Sequence, residues 1–187
     1  MNTILPRSGD GFLLRYFAID DAQQFVKIES CPKNKKYLGL PSGSYDDQIA
    51  RFKKGVSNKD EFYKYFYAIE ETSSRQLIGR AGLVKLASSP EEFEVSIVID
   101  KPFWNKKFGT KILKVMINIA FIECKAESIH ATIHPENQWS QKLFKEHGFI
   151  QVGVKNIDGN SSDDDDLVFK LTKNDYDSST ATAKELG

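Results

Sequence analysis

The sequence has little of what several common functions require. Its 187 residues include only two cysteines, Cys31 and Cys124, and neither lies in a local Cys-His motif. Two cysteines cannot form a disulfide framework or a zinc site, so we expect no metal and a reducing compartment. Lysine plus arginine equals aspartate plus glutamate at 26 each. The chain therefore has no net charge to attract nucleic acid or an anionic membrane.

Long apolar runs are also missing. No run approaches the roughly 20 residues that span a bilayer, and the N-terminus has no basic region followed by an apolar core. We therefore expect no membrane partner and no signal peptide, with the cytoplasm as the default location. A Gly-x-Gly-x-x-Gly motif after a strand is absent as well, which argues against a Rossmann domain.

The residues that are present favour one folded domain. The chain is 40% hydrophobic and 12% aromatic, enough for a sizeable core, and 28% charged, which suits a solvated surface. Its length fits one domain with or without a tail. The last residues are rich in serine, threonine and alanine, so we predict a domain over residues 1–174 and a flexible, frayed tail over 175–187.

Turn and apolar patterns in the first half predict two helices and a hairpin. Asp20 and Asp21 mark the start of the first helix, and Gly55 marks the end of the second. An aromatic-rich run and the turn after it indicate two antiparallel strands. The predicted order is a strand over 12–17, a helix to 29, a loop over 30–44, a helix over 45–54, and a hairpin of 62–69 with 76–86.

The second half alternates strands with helices. Phe93, Val95, Ile97 and Ile99 recur with a period of two, which predicts a strand with one apolar face. The predicted elements after it are a largely buried helix over 108–124, a strand over 128–133, a helix over 137–147, and a hairpin of 149–155 with 167–171. This order describes an α/β or α+β domain built on one mixed sheet.

The turn over residues 104–110 precedes the buried helix and carries the clearest chemical signal. A helix N-terminus offers unpaired amides and the positive end of the helix dipole, so it binds phosphate well. Gly109 permits φ > 0 and a close approach of the backbone, and Thr110 adds a hydroxyl. Lys106 and Lys107 add positive charge. Taken alone, the segment fits either a phosphate site or a solvated basic loop.

Several short motifs occur in an order that is typical of one protein family. The central motifs are a strand over 94–100, the turn over 104–110, and Asn137 with Ser140 at the start of a later helix. The supporting motifs are Leu14-Arg15 with Asp20-Asp21, Ile78-Gly79 with Gly82, Gly148-Phe149, and Asp166-Leu167-Val168. Together they resemble the GCN5-related N-acetyltransferase (GNAT) superfamily, and most closely its ribosomal-protein N-terminal acetyltransferase-like (RimJ/RimL-type) branch. The resemblance covers residues 12–172.

The resemblance implies a single mixed, mostly antiparallel sheet with splayed central strands and flanking helices. It also implies acetyl-CoA as cosubstrate, with the pantetheine arm in the gap between the splayed strands and the pyrophosphate on the turn. The implied cofactor-binding residues are Ile97, Val98 and Ile99 on the strand, Asn105, Lys106, Lys107, Phe108, Gly109 and Thr110 at the turn, and Asn137, Ser140 and Phe144 on the later helix. An ordinary N-cap is the alternative role for Asn137.

The chain departs from the family pattern at the turn and on the later helix. Trp104 and Lys107 stand where the family has glutamine or arginine and a first glycine, and Gly109 alone matches. The missing glycine predicts weaker cofactor binding, unless the Lys107 ammonium compensates. Many members carry, at the position of Phe144, a tyrosine that donates a proton to the leaving thiolate. Without it, Ser140 or a bound water must supply that proton.

The resemblance also implies a general base. Glu94 occupies the strand position that carries the base in several members, and a structural carboxylate is the alternative role. Glu91 and Glu92 lie close by in sequence and would act through water. The histidines nearest to this region, His130 and His134, act either as a base or as packing and surface residues.

The expected activity is transfer of an acyl group, most simply acetyl from acetyl-CoA, to a primary amine by direct attack in a ternary complex. In this family the segments over 33–44 and 158–166 line the acceptor side. Four aspartates over 163–166 would attract a cationic protein N-terminus, polyamine or aminoglycoside, or they form a solvated hairpin tip. A monomer and a homodimer both remain open. The alternative function is a degraded GNAT-fold module that binds coenzyme A weakly or serves in regulation or protein association.

Overall fold

A computed structural model describes residues 7–38, 43–58, 65–87, 89–155 and 165–185 of the chain. The chain divides into two units, Met1–Val84 with Ser96–Met116, and Lys85–Val95 with Ile117–Gly187. Most of the predicted acidic loop, at positions 158–164, lies outside the described residues, and so do positions 39–42 of the other predicted acceptor segment.

The first unit contains a run of antiparallel strands with three helices. The strands are β1 (Arg7–Gly9), β2 (Phe12–Arg15), β3 (Phe66–Glu71) and most of β4 (Leu77–Leu86), paired in that order. The helices are α1 (Ala22–Glu29), α2 (Pro32–Lys35) and α3 (Tyr45–Asn58). Arg15 on β2 bonds Asp21 at 2.7 Å and Glu70 on β3 at 2.6 Å, so one guanidinium fixes the start of α1 against two strands.

The second unit is built around strand β6. Strand β6 (Ser128–Ile133) pairs in parallel with the first part of β5 (Ser89–Ile99) and antiparallel with β8 (Asp166–Thr172), which also pairs with β7 (Ile150–Lys155). Helix α4 (Phe108–Asn118) enters this unit at its end, and α5 (Gln138–Glu146) and α6 (Lys173–Glu185) lie within it. Elements β4, β5 and α4 each begin in one unit and end in the other.

Hydrogen-bonded neighbours place the eight strands in the order β1-β2-β3-β4-β5-β6-β8-β7. The pair β5–β6 is parallel, and the pairs β1–β2, β2–β3, β3–β4, β6–β8 and β7–β8 are antiparallel. This mixed sheet with flanking helices confirms the predicted fold class.

Three helical segments before the C-terminal segment differ from the prediction. Helix α3 continues through Gly55 to Asn58, because Gly55 is buried inside the helix and does not take the positive φ of a C-terminal stop. The predicted loop over 30–44 contains helix α2, with Pro32 in its first turn. The helix predicted to reach residue 124 ends in a π-helical turn, in which the Cys124 amide donates to the Ile119 carbonyl.

Helix α6 occupies most of the segment for which the sequence predicts a frayed tail. Thr172 caps it, since its Oγ1 accepts from the Asp175 amide at 3.2 Å. The ring of Tyr176 on α6 stacks on Phe121, with centroids 5.0 Å apart. The segment is therefore helical and makes contacts, which corrects the expectation of a frayed end, whereas the domain boundary at residue 174 stays a prediction.

Strand β5 begins earlier than predicted, and its alternation is broken. Phe93, Val95 and Val98 are buried, whereas Ile97 and Ile99 are half-buried. Side chains three residues apart on a strand point to opposite faces, so Val95 and Val98 are buried on different faces of β5. The apolar face predicted through Ile97 and Ile99 is therefore less buried at its end, while the opposite face is buried at Val98.

Two absences are observed in the described part of the chain. None of its helices has both the length and the apolar character that crossing a membrane requires. The same residues contain no group of three or more histidine, cysteine, aspartate or glutamate side chains placed to hold a metal ion.

Gly79 on β4 is required by a close backbone approach. A Cβ at this position would lie 2.1 Å from the Val98 carbonyl oxygen on β5. We expect Gly79→Ala to lower the free energy of unfolding by about 1–3 kcal/mol, the usual cost of forcing extra atoms into a packed site. Gly153→Ala on β7 is the matched control, since nothing lies within 4 Å of its added Cβ. Equal urea midpoints for the two variants would contradict this packing argument.

Candidate active site

The turn before α4 has an unusual backbone. Asn105 and Lys107 both have φ of 61°, in the left-handed region that favours glycine. Gly109, which the sequence suggested for this conformation, lies in the first turn of the helix without a positive φ. The position that needs a glycine is therefore Lys107, where the family pattern has one.

The first turn of α4 presents backbone donors. The Lys107 carbonyl accepts from the Lys111 amide at 3.2 Å, which places Lys107 at the N-cap. The amides of Phe108, Gly109 and Thr110 then have no partner within the helix, and the helix dipole adds partial positive charge. The Phe108 ring is buried edge-on against Phe12, with centroids 6.5 Å apart, so the start of the helix is anchored.

Side chains around the turn supply cations and attach it to the end of β5. The Trp104 indole Nε1 donates to the Ile99 carbonyl at 2.8 Å, and the Asn34 amide donates to the same oxygen at 3.4 Å. The Ile99 carbonyl is therefore already used within the protein. Lys33 Nζ lies 6.0 Å from the Trp104 ring centroid, and Lys106 Nζ lies 4.6 Å from that of Phe103.

The parallel pairing of β5 with β6 is short. It joins Glu92 to Ser128, Phe93 to Ile129 and Glu94 to His130, and in the described residues it extends no further. Strand β6 nevertheless continues to Ile133 in full register with β8. In the described residues the pairing of the two central strands thus ends at the row formed by Glu94 and His130.

Glu94 lies in this last paired row. Its side chain is 29% exposed, and its Oε2 lies 4.0 Å from Lys155 Nζ. Asp166, which ends the acidic run, interacts electrostatically with Glu94, Lys155 and His134. Burial raises the pKa of the Asp166 carboxyl, while His134 and Lys155 oppose the increase. Glu94 therefore belongs to a group of interacting side chains that also contains Lys155, Asp166 and His134.

A second polar cluster surrounds Glu92, two residues before Glu94 on β5, and the sequence did not predict it. Glu92 Oε1 accepts from Lys170 Nζ at 2.9 Å and from the Ser128 hydroxyl at 2.9 Å. His130 Nε2 lies 3.2 Å from Ser128 Oγ and 3.6 Å from Glu92 Oε1. The bond from Lys170, followed by that from Ser128, lowers the pKa of the Glu92 carboxyl. Polar residues at every second position of β5 and β6 were the available signal.

The start of α5 holds the remaining predicted residues. Asn137 is the N-cap, since its Oδ1 accepts from the Ser140 amide at 3.1 Å. The Ser140 side chain is half-buried. Phe144 is 4% exposed and packs edge-on against Phe149, with centroids 4.9 Å apart. Thus Asn137 has the alternative capping role, which leaves its amide nitrogen free to serve a ligand, and Phe144 is a core residue.

The left-handed conformation of Lys107 leads to a stability prediction. We expect Lys107→Gly to raise the free energy of unfolding by about 0.5–1 kcal/mol, because the strain relieved exceeds the entropy that glycine loses on folding. Lys106→Gly is the matched control: its φ is not positive, so it should lower stability. Urea unfolding measures both, and a loss of stability in Lys107→Gly would contradict the strain argument.

Comparison with known proteins bears on the family. A family model described as an acetyltransferase (GNAT) domain matches residues 12–150. YjcK of Bacillus subtilis, a probable N-acetyltransferase, is 27% identical over 175 residues, which cover 89% of this chain and 97% of the relative. YoaA of the same organism, an uncharacterized N-acetyltransferase, is 23% identical over 146 residues, which cover 78% of this chain and 82% of the relative.

Solved structures share the fold at low sequence identity. A GNAT-family acetyltransferase from Bacillus anthracis has a TM-score of 0.77 and 18% identity, covering 91% of this chain and 99% of its own. The spermidine N-acetyltransferase of Vibrio cholerae, solved with CoA and spermine, has a TM-score of 0.74 and 19% identity, covering 90% of this chain and 99% of its own. The ribosomal-protein-S5-alanine acetyltransferase of Vibrio fischeri has a TM-score of 0.75 and 17% identity, covering 92% of this chain and 98% of its own. Because the family model spans well over half of the chain, this protein belongs to the GNAT family of N-acetyltransferases.

Proposed function

We propose that this chain transfers acetyl from acetyl-CoA to a primary amine by direct attack in a ternary complex. The observation that carries the proposal is Glu94, a half-buried carboxylate in the last row in which β5 and β6 are paired. An amine must lose its proton before it attacks a thioester, and a carboxylate at this point can accept that proton. Membership of the GNAT family supports acyl transfer as the class of reaction.

We propose that the turn and the start of α4 bind the pyrophosphate of acetyl-CoA. The amides of Phe108, Gly109 and Thr110 offer donors at the positive end of the helix dipole. Lys106 and Lys107 add full charges, and Asn105 shapes the turn through its left-handed backbone. The CoA complex of the Vibrio cholerae neighbour supports coenzyme A as the ligand of this fold.

The pantetheine arm is assigned to polar groups further along the chain. On β5 the backbone of Ile97 and Val98 is proposed to bond it, with Ile99 contributing only its amide, because the Ile99 carbonyl is already occupied. On α5 the Asn137 amide nitrogen is free to donate, since capping uses only its oxygen. The proposed contact of Phe144 is apolar. Ser140, or a water, is the proposed donor to the leaving thiolate.

The acceptor is proposed to be a cationic amine. Glu94 and Asp166 bring two carboxylates into one interacting group, and Lys155 offsets only part of their charge. Among the structural neighbours, one acts on spermidine and one on the alanine of a ribosomal protein. A polyamine and a protein N-terminus are therefore the two acceptor classes to test first, and the second would place the chain in the RimJ/RimL-type branch.

A second candidate function is a coenzyme A-binding module without efficient catalysis. Two observations favour it: the strained Lys107 in place of a glycine, and the buried Phe144 in place of a proton-donating tyrosine. In either case we propose a cytoplasmic monomer or homodimer with its domain within residues 1–174.

Cofactor binding is tested by thermal unfolding. A ligand that binds only the folded state stabilises it by about 2.7 kcal/mol at 100 times its Kd, and about 1 kcal/mol shifts Tm by about 2–4 °C at this chain length. We therefore expect acetyl-CoA to raise Tm by several degrees, and pantetheine, which lacks the pyrophosphate, to raise it less. An unchanged Tm at millimolar acetyl-CoA would instead favour a module without this cofactor.

The role of Glu94 is tested by Glu94→Gln. We expect turnover to fall by about 100-fold or more, the usual contribution of a general base, with the acetyl-CoA Tm shift unchanged. Glu91→Gln is the matched control, because Glu91 is an exposed carboxylate on the same strand, and it should leave turnover intact. Thiol release against a panel of polyamines and peptides measures both variants. Wild-type turnover in Glu94→Gln would remove Glu94 from the mechanism.

A further inference from the structure

Ser140 or a water can protonate the leaving thiolate only if another group returns a proton to it. When an amine displaces a thiolate from a thioester, a carbon–nitrogen bond forms and a carbon–sulfur bond breaks. The nitrogen then has one proton too many, and the sulfur needs one. Phe144 has no hydroxyl and is buried against Phe149, so it cannot move that proton. A group that both accepts and donates a proton near neutral pH would serve both the nitrogen and the sulfur.

His130 occupies the right place for such a group. It lies directly opposite Glu94 in the last paired row of β5 and β6, and residues paired in this way share one face of the sheet. Its side chain is 15% exposed, so it is shielded yet reachable. The imidazole and the Glu94 carboxylate therefore lie on one face of the sheet, at the last paired row of β5 and β6.

The surrounding hydrogen bonds fix the tautomer of His130. Lys170 and Ser128 hold Glu92 ionised, so this carboxylate can only accept hydrogen bonds. The single hydroxyl proton of Ser128 goes to Glu92, and the Ser128 oxygen must then accept from His130 Nε2 at 3.2 Å. In neutral His130 the lone pair is therefore on Nδ1.

That Nδ1 is available. Among the described residues it has no hydrogen-bond partner, and it is not one of the buried unpartnered atoms. The other two histidines differ. His134 Nδ1 already accepts from the Glu136 amide at 3.1 Å. His147 must donate its Nδ1 proton to the Leu143 carbonyl, and its Nε2 is buried. His130 alone among the three combines an oriented ring with an open basic nitrogen.

We propose that His130 carries the transferred proton, and this inference rests on the proposed acetyltransferase function. Glu94 removes the proton of the incoming ammonium. After the amine nitrogen bonds to the thioester carbon, His130 Nδ1 takes the surplus nitrogen proton. The imidazolium then returns that proton to the sulfur through Ser140 or a water as the carbon–sulfur bond breaks, so coenzyme A leaves as the thiol and His130 returns to neutral. No proton is gained or lost in this step, and the missing tyrosine is replaced.

Charged groups face His130 from two neighbouring strands. They are the carboxylates of Glu92 and Glu94 on β5 and the Lys170 ammonium on β8. On its own strand, Ser128 orients the ring through its hydroxyl oxygen. Since the amine proton must go to neutral His130, a ring protonated before the attack would block the step, so loss of rate on the acidic side of the pH profile is the expected signature.

The test compares His130→Gln with His147→Gln, a matched change at a histidine outside the proposed site. We expect His130→Gln to lower kcat about 100-fold or more, to lose one limb of the kcat–pH profile, and to keep the acetyl-CoA Tm shift. His147→Gln should keep both the rate and the limb. His130→Ala should regain turnover when imidazole is added, which a merely structural histidine would not do.

The outcomes separate this inference from the function beneath it. If the wild type releases thiol but His130→Gln matches His147→Gln in kcat and pH profile, the inference about His130 is overturned and the acetyltransferase function stands. The same holds if the rate falls without loss of the limb and imidazole restores nothing. If the wild type releases no thiol with any amine, the proposed function itself fails, and the role of His130 with it.

Discussion

The structure depends on one short interaction, the parallel pairing of β5 with β6. Three rows of residues hold these strands together, and the pairing stops at Glu94 and His130 while β6 continues beside β8. We propose that backbone groups of β5 beyond that row serve a ligand, because buried polar groups require partners. The candidate base Glu94 and the proposed proton carrier His130 form the last paired row.

Two carboxylates near the end of this pairing have different neighbours. Glu92 is bonded by Lys170 and Ser128, and Ser128 also contacts His130. Glu94 lies farther from its cation, 4.0 Å from Lys155 Nζ, and is the proposed acceptor of the amine proton. Two carboxylates two residues apart on one strand are thus proposed to have different roles because their neighbours differ.

Much of the fold could be predicted because its signals are local. Strand β6 and helix α5 follow from apolar period and capping, and Asn137 indeed caps its helix. Helix α6 differs from the prediction because the tail's serine, threonine and alanine content favours a frayed end, whereas the cap signal of Thr172 and Asp175 favours a helix. Helix α3 passes through Gly55 because burial overrides the stop signal that glycine carries on a surface.

The sequence by itself determined the family, the order of the elements other than helices α2 and α6, and the residue types at the turn and on β5. It could not determine which residue of the turn takes the left-handed backbone, because φ at Lys107 depends on how helix and strand are joined. Nor could it show that Ser128, His130 and Lys170 converge on Glu92, since these residues lie 36 to 78 positions away from it along the chain. Only strand pairing sets such contacts, because it joins distant segments row by row.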